Sequence, residues 1–447
     1  MATQHCDVVI IGTGPGGEAL ASRLAGEGLA VVAVEAELVG GECPYWGCIP
    51  SKMLIRAANT IAETRRAAEL AGTSSIDPDY EIVFRRIRDE ATTDWDDETA
   101  AKRLTDAGVT LVRGHGRLAG LRAVEVDGER FEASKGVVLN TGTTASVPPI
   151  DGLAATPFWT NREALRAETA PASMVVIGGG SIGLEMAQAF SRFGTEVTVL
   201  ESAPRILAPE EPESSALVAD VFRAEGIGVH EDVTIGGVSY DGDRFHVTCS
   251  DKTFEVERVL VAAGRRSRLD DIGLDTLGVD SSGRFLEVDD RMQVTEGLWA
   301  IGDIVGRGAF THVSMYQSER AARAILGESL DDYDGSLPRV TFTDPEVGAV
   351  GMTEQQARDA GVAVRIGSTS IAESSRGFVH GPGHEGLLKL VIDTDRDVIV
   401  GATSAGPMGG ETLSALAVAV RAQVPLATLR NMVYAYPTFW RAIESAL

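Results

Sequence analysis

The sequence predicts an α/β chain with two Rossmann-like dinucleotide-binding domains and a C-terminal α+β domain. Three observations carry this. A glycine-rich βαβ fingerprint occurs twice at one spacing, each copy closes on a similar apolar strand ending in glycine, and the strand-and-helix register changes after Pro338.

The first fingerprint begins with Asp7-Val8-Val9-Ile10-Ile11, a continuous apolar run of the kind a buried parallel strand requires. Gly12-Thr13-Gly14-Pro15-Gly16-Gly17 follows, then a helical pattern from Glu18 to Glu27 and a second strand, Ala30 to Glu35. Gly12 permits the tight turn, Gly14 lets backbone approach a pyrophosphate, and Gly17 lets helix pack on strand. The helix N-terminus offers N–H groups to an anion, and Glu35 can accept hydrogen bonds from a ribose. The second copy runs from Met174-Val175-Val176-Ile177 through Gly178, Gly180 and Gly183 to Glu201. The separation from first glycine to terminal acid is 23 residues in both copies. One such motif is weak evidence, but two at one spacing point to two dinucleotides. The duplication extends further, because Val137-Val138-Leu139-Asn140-Thr141-Gly142 is mirrored by Val259-Leu260-Val261-Ala262-Ala263-Gly264.

Between the copies, residues 52–108 read as helical, with Asp94-Trp95-Asp96-Asp97-Glu98 as a solvated acidic face. Residues 109–139 read as short strands with glycine turns, and Pro148-Pro149-Ile150-Asp151-Gly152 as a linker. A strand at 298–301 ends in Gly302-Asp303, and a helix is expected over 314–326. The last module is expected to hold strands at 339–342, 364–371, 387–392 and 398–405, with helices at 410–422 and 426–433. His380 and His384 are spaced four apart, but the glycines and Pro382 around them break a helix there. They read as a polar turn and not as a metal site.

The 447 residues suffice for two to four domains, and 44% hydrophobic content supplies large cores. A formal charge of −25 argues against nucleic acid and anionic membranes as partners. The chain has no long uninterrupted apolar stretch, so no transmembrane helix is expected. The first strand begins near Cys6, which leaves no room for a signal peptide and points to the cytoplasm.

In a reducing compartment the four cysteines do not form a structural framework. Cys6 and Cys249 lie in strand-like runs and read as inert core thiols. Cys43 and Cys48 differ, because they sit in Gly40-Gly41-Glu42-Cys43-Pro44-Tyr45-Trp46-Gly47-Cys48-Ile49-Pro50-Ser51-Lys52, outside any apolar periodicity. Beside two dinucleotide sites, this pair reads as a redox-active dithiol in an electron relay.

Together these residues resemble the flavin-dependent pyridine nucleotide–disulfide oxidoreductases, the group of dihydrolipoamide dehydrogenase, glutathione reductase and mercuric reductase. The likeness covers essentially the whole chain. The Cys43–Cys48 segment is its most specific motif, with Gly302-Asp303 and Asp344-Pro345-Glu346-Val347-Gly348 as further landmarks. The resemblance implies an FAD domain over 1–150 and 265–335, an NAD(P) domain over 151–264 and a dimerisation domain over 336–447. Gly12, Gly14, Gly17, Glu35, Thr141, Gly142, Gly302 and Asp303 are then the FAD residues. Gly178, Gly180, Gly183, Glu201 and Gly264 serve the nicotinamide dinucleotide. Lys52, paired with Glu185, is expected beside the flavin. Cys48 lies against the flavin and Cys43 faces a small-molecule substrate, and the segment around Tyr436 reaches the active site of a homodimer partner.

Glu201 favours NADH over NADPH, because a carboxylate there repels a 2′-phosphate, although Arg205 could soften that repulsion. The C-terminus departs from the family pattern. Where the disulfide reductases carry His and Glu as an acid/base pair, this chain has Tyr436 and Arg441. A tyrosine of pKa about 10 is roughly 0.1% ionised at pH 7, a poor base. Arg441 beside Trp440 points to an anionic or aromatic substrate, or to packing at the dimer interface. The implied activity is NAD(P)H-dependent reduction of a small disulfide or thiol-linked substrate through Cys43–Cys48. The alternatives are a quinone reductase using flavin directly, or reductive C–S chemistry on a thioether. No cysteine follows Cys249, which argues against full mercury handling.

Overall fold

The computed structural model describes residues 3–250 and 252–447. They form two compact units. The first holds the chain up to Pro50, Arg85–Ser146 and Arg265–Tyr333, and the second holds Ser51–Phe84, Val147–Gly264 and Asp334–Leu447.

Among the described residues, the first unit is built on an eight-stranded sheet. Its main path runs Gln293–Thr295, Leu298–Ala300, Glu129–Leu139, Thr3–Ile11, Val31–Glu35, Thr110–Arg113. The central strands are parallel, with Ile10 opposite both Ala33 and Val138. The continuous apolar run at 8–11 follows from burial on both faces. Val8 and Ile10 enter one core with Leu20, Leu24 and Ile325, while Val9 and Ile11 enter another with Phe131 and Leu298. Each such side chain contributes roughly 1.5–3 kcal/mol by leaving water. Between strands run the helices Pro15–Gly26 and Glu98–Asp106. The helix expected from Ser314 begins earlier, as Thr311–Leu326.

The second unit has, among the described residues, a four-stranded parallel sheet ordered Gly228–His230, Glu196–Leu200, Ser173–Ile177, Arg258–Val261. Its helix Ser181–Arg192 follows the second fingerprint. A three-stranded antiparallel meander, Ile235–Tyr240, Phe245–Cys249 and Lys252–Val256, covers one core face with Phe245 and Val247. The C-terminal residues form a five-stranded antiparallel sheet, Arg339–Thr341, Glu346–Gly351, Val398–Gly406, Leu387–Asp393 and Val364–Ser370. The helices Gly409–Arg421 and Ala442–Ala446 add Leu413, Leu416 and Ile443 to its core. No helix among the described residues is long and apolar enough to cross a membrane.

Two expectations need correction. His380 is the last residue of a short helix, Ser375–His380, because Gly377 and the Ser374 cap start that helix before Gly381 ends it. The acidic stretch 94–98 is not simply a solvated face. Asp97 accepts the Val39 N–H at 2.6 Å and a two-pronged bond from Arg113 at 2.7 and 2.9 Å. Trp95 stacks on Trp46 with ring centroids 5.7 Å apart.

Candidate functional site

The two fingerprints fold into the same local device. Gly12 has φ +95°, and a Cβ there would stand 2.3 Å from the Asn140 carbonyl oxygen, so only glycine permits this crossing. Gly178 has φ +112°, with the Ala262 carbonyl oxygen 2.5 Å from its would-be Cβ. Gly17 and Gly183 bring their helices onto the turns, where a Cβ would meet the Gly12 and Gly178 carbonyl oxygens at 2.1 and 2.3 Å.

The terminal acids also match. Glu35 accepts the Thr13 N–H and hydroxyl, both at 2.7 Å, and Glu201 accepts the Gly179 N–H at 2.6 Å. Each thus fixes the residue after the first glycine. Both following helices lack a side-chain N-cap, leaving N–H donors for an anion.

The cofactors fit these cradles. A Cβ on Gly14 would meet nothing closer than the Asn140 amide at 3.4 Å, and one on Gly180 would meet nothing within 4 Å. The fold itself therefore leaves both positions open, as a dinucleotide approaching the backbone requires. In the first unit the Thr141 hydroxyl is buried without a partner, a donor left for a ligand. Gly142 and Gly264 both take left-handed φ, +67° and +102°, just past the strand ends. Gly302 has φ +78° and donates its N–H to Gln317 at 2.7 Å. Asp303 accepts the Thr143 hydroxyl at 2.8 Å, and Arg265 donates to the Thr143 hydroxyl and carbonyl at 2.7 and 2.6 Å. Arg265 also reaches Glu42 at 3.5 Å, tying this group to the residue before Cys43.

The two cysteines sit on separate helices. Cys43 lies in the five-residue helix Glu42–Trp46, and Cys48 opens Cys48–Leu70. The Cys48 sulfur is 3.3 Å from the Thr311 hydroxyl, at the start of the Thr311–Leu326 helix. The Cys43 thiol is pushed up, first by its hydrogen bond with Cys48 and then by burial. Gly40 and Gly41 turn the chain into this helix with φ +106° and +64°. A Cβ on Gly41 would lie 2.8 Å from the Gly14 Cα, so the dithiol loop packs directly on the first phosphate turn.

In the second unit Lys52 pairs with buried Glu185 at 2.7 Å, and its ammonium lies 4.7 Å from the centre of the Phe342 ring. The other Glu185 oxygen accepts the Phe342 N–H at 2.8 Å. Further along the same helix, Gln188 bonds the backbone of Asp344 in both directions at 2.7 and 2.8 Å. Arg192, 2% exposed, pairs with Glu225 and Asp344 at 2.5 and 2.8 Å.

Tyr436 is 69% exposed. Arg441 pairs with Glu444 at 2.7 Å, donates to the Tyr434 carbonyl at 3.1 Å and lies 5.7 Å over the Tyr436 ring. Trp440 packs against Tyr434, 4.8 Å between centroids. Within one chain, then, the arginine is answered by a neighbouring acid and the tryptophan joins the core. His380 meets the Phe439 ring edge-on, and the His384 Nδ1 lies 2.9 Å from the Gly377 carbonyl. Thr311, Phe342, Arg265 and Trp95 escape a reading of the sequence, because each acts through a partner far along the chain.

Two dinucleotide cradles with a dithiol packed on the first define a flavin- and nicotinamide-dependent oxidoreductase. The chain belongs to the pyridine nucleotide-disulphide oxidoreductases: that family matches residues 6–318, and its dimerisation domain matches residues 337–447. It is therefore an NAD(P)H-dependent flavoprotein using FAD. It is 35% identical to a dihydrolipoyl dehydrogenase of Thermus scotoductus, over 98% of this chain and 96% of that protein. It is 31% identical to a mercuric reductase of Shewanella putrefaciens, over 99% of this chain and 80% of that one. Among solved structures, the HOCl-induced flavoprotein disulfide reductase RclA from Escherichia coli superposes with a TM-score of 0.87. The sequence identity is 26%, and the match covers 98% of this chain and 99% of that one.

Proposed function

We propose that this protein is a homodimeric reductase that passes electrons from NADH through Cys43 and Cys48 to a small disulfide or thiol-linked substrate. It works without a histidine–glutamate acid/base pair. The observation that carries this reading is the pair of contacting cysteines in a loop packed on the first phosphate turn. Residues 1–150 and 265–335 hold FAD, residues 151–264 hold the nicotinamide cofactor, and residues 336–447 meet a second copy.

FAD and NADH, when bound, supply the hydride chemistry that returns the Cys43–Cys48 disulfide to the dithiol. The protein's own groups do the rest. The Cys43 sulfur attacks one sulfur of the substrate disulfide and expels the other, which leaves as a thiol by taking up the Cys43 proton. Cys48 then attacks the Cys43 side of this mixed disulfide. The second substrate thiol leaves, and the Cys43–Cys48 bond closes. The Thr311 hydroxyl, 3.3 Å from the Cys48 sulfur, is placed to donate to that sulfur whenever it is a thiolate. Lys52, held by Glu185, is the fixed cation assigned to the flavin, and the partner's C-terminal segment completes the substrate wall.

Support for NADH comes from Glu201 and Arg205. Both Glu201 oxygens accept backbone N–H groups, of Gly179 and Ala203, and the residue presents a negative charge where a 2′-phosphate would sit. Arg205 donates to the Leu207 and Ala208 carbonyls and the Ser215 hydroxyl, which hold it toward residues 207–215.

The test is an anaerobic titration of the purified protein with NADH and, separately, NADPH. A long-wavelength absorption band at two electrons is expected, faster with NADH, and absent from Cys48→Ser. Direct bleaching without the band, together with full turnover by Cys43→Ser, would sink the dithiol relay in favour of direct quinone reduction.

A further inference from the structure

The loop that follows Glu201 packs directly on the second phosphate turn. The Leu207 N–H donates to the Gly179 carbonyl at 2.9 Å. A Cβ on Gly179 would stand 2.7 Å from the Ile206 side chain and 3.1 Å from Glu201 Oε2. Ile206 and Leu207 are buried, and Leu207 takes φ +46°, a left-handed backbone that leucine keeps only where its surroundings impose it. Residues 201–211 connect the strand Glu196–Leu200 to the helix Pro212–Ala224 without regular structure of their own. Whatever anchors their far end bears on how firmly they seat on the turn.

That anchor comes from C-terminal residues of the same unit. Glu210 takes a two-pronged bond from Arg339 at 2.7 and 2.8 Å. Next to it, Glu211 splits its oxygens. One accepts the Glu354 N–H at 2.7 Å, and the other meets the Lys389 ammonium at 3.0 Å. The same ammonium reaches Glu213 at 2.8 Å and Glu354 at 3.0 Å. Lys389 stands on Leu387–Asp393, an inner strand of the five-stranded sheet, and its side chain is 4% exposed. An ammonium has three N–H donors, so three carboxylates satisfy it completely. Burial opposes the charge on Lys389, but Glu213, Glu354 and Glu211 outweigh it and hold the ammonium above its usual range.

Buried ion pairs are weak evidence for stability, because taking charges out of water offsets much of their attraction. What this cluster supplies is position. Glu211 is also the cap residue of the helix Pro212–Ala224, and its carbonyl accepts the Ser214 N–H at 3.0 Å. The end of the loop and the start of the helix are therefore fixed together. Arg205 ties them from within, donating to the Leu207 and Ala208 carbonyls at 3.0 and 2.6 Å and to the Ser215 hydroxyl at 2.7 Å. The loop thus has two seats: Gly179 of the phosphate turn, and the cations of residues 339 and 389.

We propose that Lys389 and Arg339 are positioning residues for the adenosine half of the nicotinamide dinucleotide. They act through Glu210 and Glu211, which hold Ile206 and Leu207 on Gly179. The phosphate turn and Glu201 are thereby kept in the shape that accepts pyrophosphate and ribose. This rests on the reading that the unit from Gly178 to Glu201 holds that cofactor. The nicotinamide half lies beyond the turn, so its own contacts are indifferent to this tether.

The test uses the FAD-loaded enzyme and two probes that divide the cofactor. ADP-ribose carries the adenosine and the pyrophosphate, and its binding is read by calorimetry. Reduced nicotinamide mononucleotide carries no adenosine, and its second-order rate of flavin reduction is read by stopped flow beside that of NADH. Lys389→Met is expected to weaken ADP-ribose about tenfold and to slow NADH about tenfold, with the mononucleotide within about twofold of wild type. Arg339→Gln should weaken ADP-ribose about fivefold. The double variant Lys389→Met/Glu211→Gln removes the stranded buried charge, so it should regain thermal stability while its ADP-ribose binding stays weak. Affinity that recovers together with stability would overturn the tether. So would equal losses for NADH and the mononucleotide, or wild-type ADP-ribose binding in Lys389→Met and Arg339→Gln. If Lys389→Met does not fold, Arg339→Gln decides alone. Gly183→Ala separates the two possible failures. ADP-ribose binding that Gly183→Ala leaves intact overturns the cradle assignment and the tether with it, whereas weakening there with unaffected Lys389→Met overturns the tether only.

Discussion

Single carboxylates organise this molecule more than their number implies. Glu35 and Glu201 each turn one oxygen back on the phosphate turn they follow, and Glu185 divides its two oxygens between Lys52 and the Phe342 N–H. A buried acid so placed is held by partners on both oxygens, and losing one partner leaves the other polar group stranded. Thiols are sorted by the same local logic. Cys43 and Cys48 have each other and Thr311, whereas Cys6 lies half-buried in a strand, its sulfur 3.8 Å from the Glu132 carbonyl. Burial, with the Asp7 charge beside it, pushes the Cys6 thiol from 9.0 up to about 11. Between those values the unfolded chain releases a proton that the folded protein keeps. The folded state is therefore favoured below about pH 9 and loses that advantage as pH rises to about 11. Thermal midpoints should fall over that window, and Cys6→Ala should flatten the fall. At pH 8, iodoacetamide should label Cys6 about 100-fold more slowly than an ordinary thiol, because its thiolate fraction is smaller by that factor. Equal labelling, followed by peptide mass, would remove the inert-core assignment.

At the scale of elements, the duplicated βαβ unit gives a paired test. Gly17 and Gly183 occupy equivalent places, and a methyl at either meets backbone oxygen that cannot move aside. Gly17→Ala should open the first turn, so that the purified protein carries at least tenfold less flavin by its 450 nm absorbance. Gly183→Ala should leave flavin content intact and raise the KM for NADH at least tenfold. Equal flavin loss in both variants would contradict the assignment of one cofactor to each cradle. These elements were legible because each announces itself locally: an apolar run buried on both faces, glycines at fixed offsets, an acid at the strand end. The short helix Ser375–His380 was hidden by the glycines around it. The 86–97 turn was hidden more deeply. Asp94, Asp96, Asp97 and Glu98 look like a hydrated surface, yet Asp97 is paired and Trp95 is stacked, and no glycine marks Thr93, Asp94 and Trp95, which take left-handed φ. Their conformation is imposed by Thr92, Trp46 and Val39, which neighbouring sequence does not reveal.

For the whole molecule, the C-terminal residues raise the question of what covers them. Within one chain Val433 is 94% exposed and Phe378 is 82% exposed, with Val379, Met432 and Tyr436 also open to solvent. Large apolar side chains clustered at such exposure mark a surface that another molecule covers. They lie within the residues that match the dimerisation domain, and the proposed homodimer would cover them with a second copy. The ring contacts of Arg376 and His380 with Phe439 tie the Ser375–His380 helix to the C-terminal turn, so a shift at one is felt at the other. The formal charge of −25 on each copy opposes association, and salt screens that repulsion. A Phe378→Glu/Val433→Glu double variant should therefore elute as a monomer in a sizing column with light scattering, where the wild type elutes as a dimer. The wild-type dimer should also tighten as ionic strength rises. If the partner's C-terminal segment completes each substrate site, the monomer should keep its flavin and its two-electron reduction by NADH while losing at least tenfold in turnover of a disulfide substrate. A monomer with undiminished disulfide turnover would show that each chain carries a complete site, and the exposed Tyr436 would then need a different role.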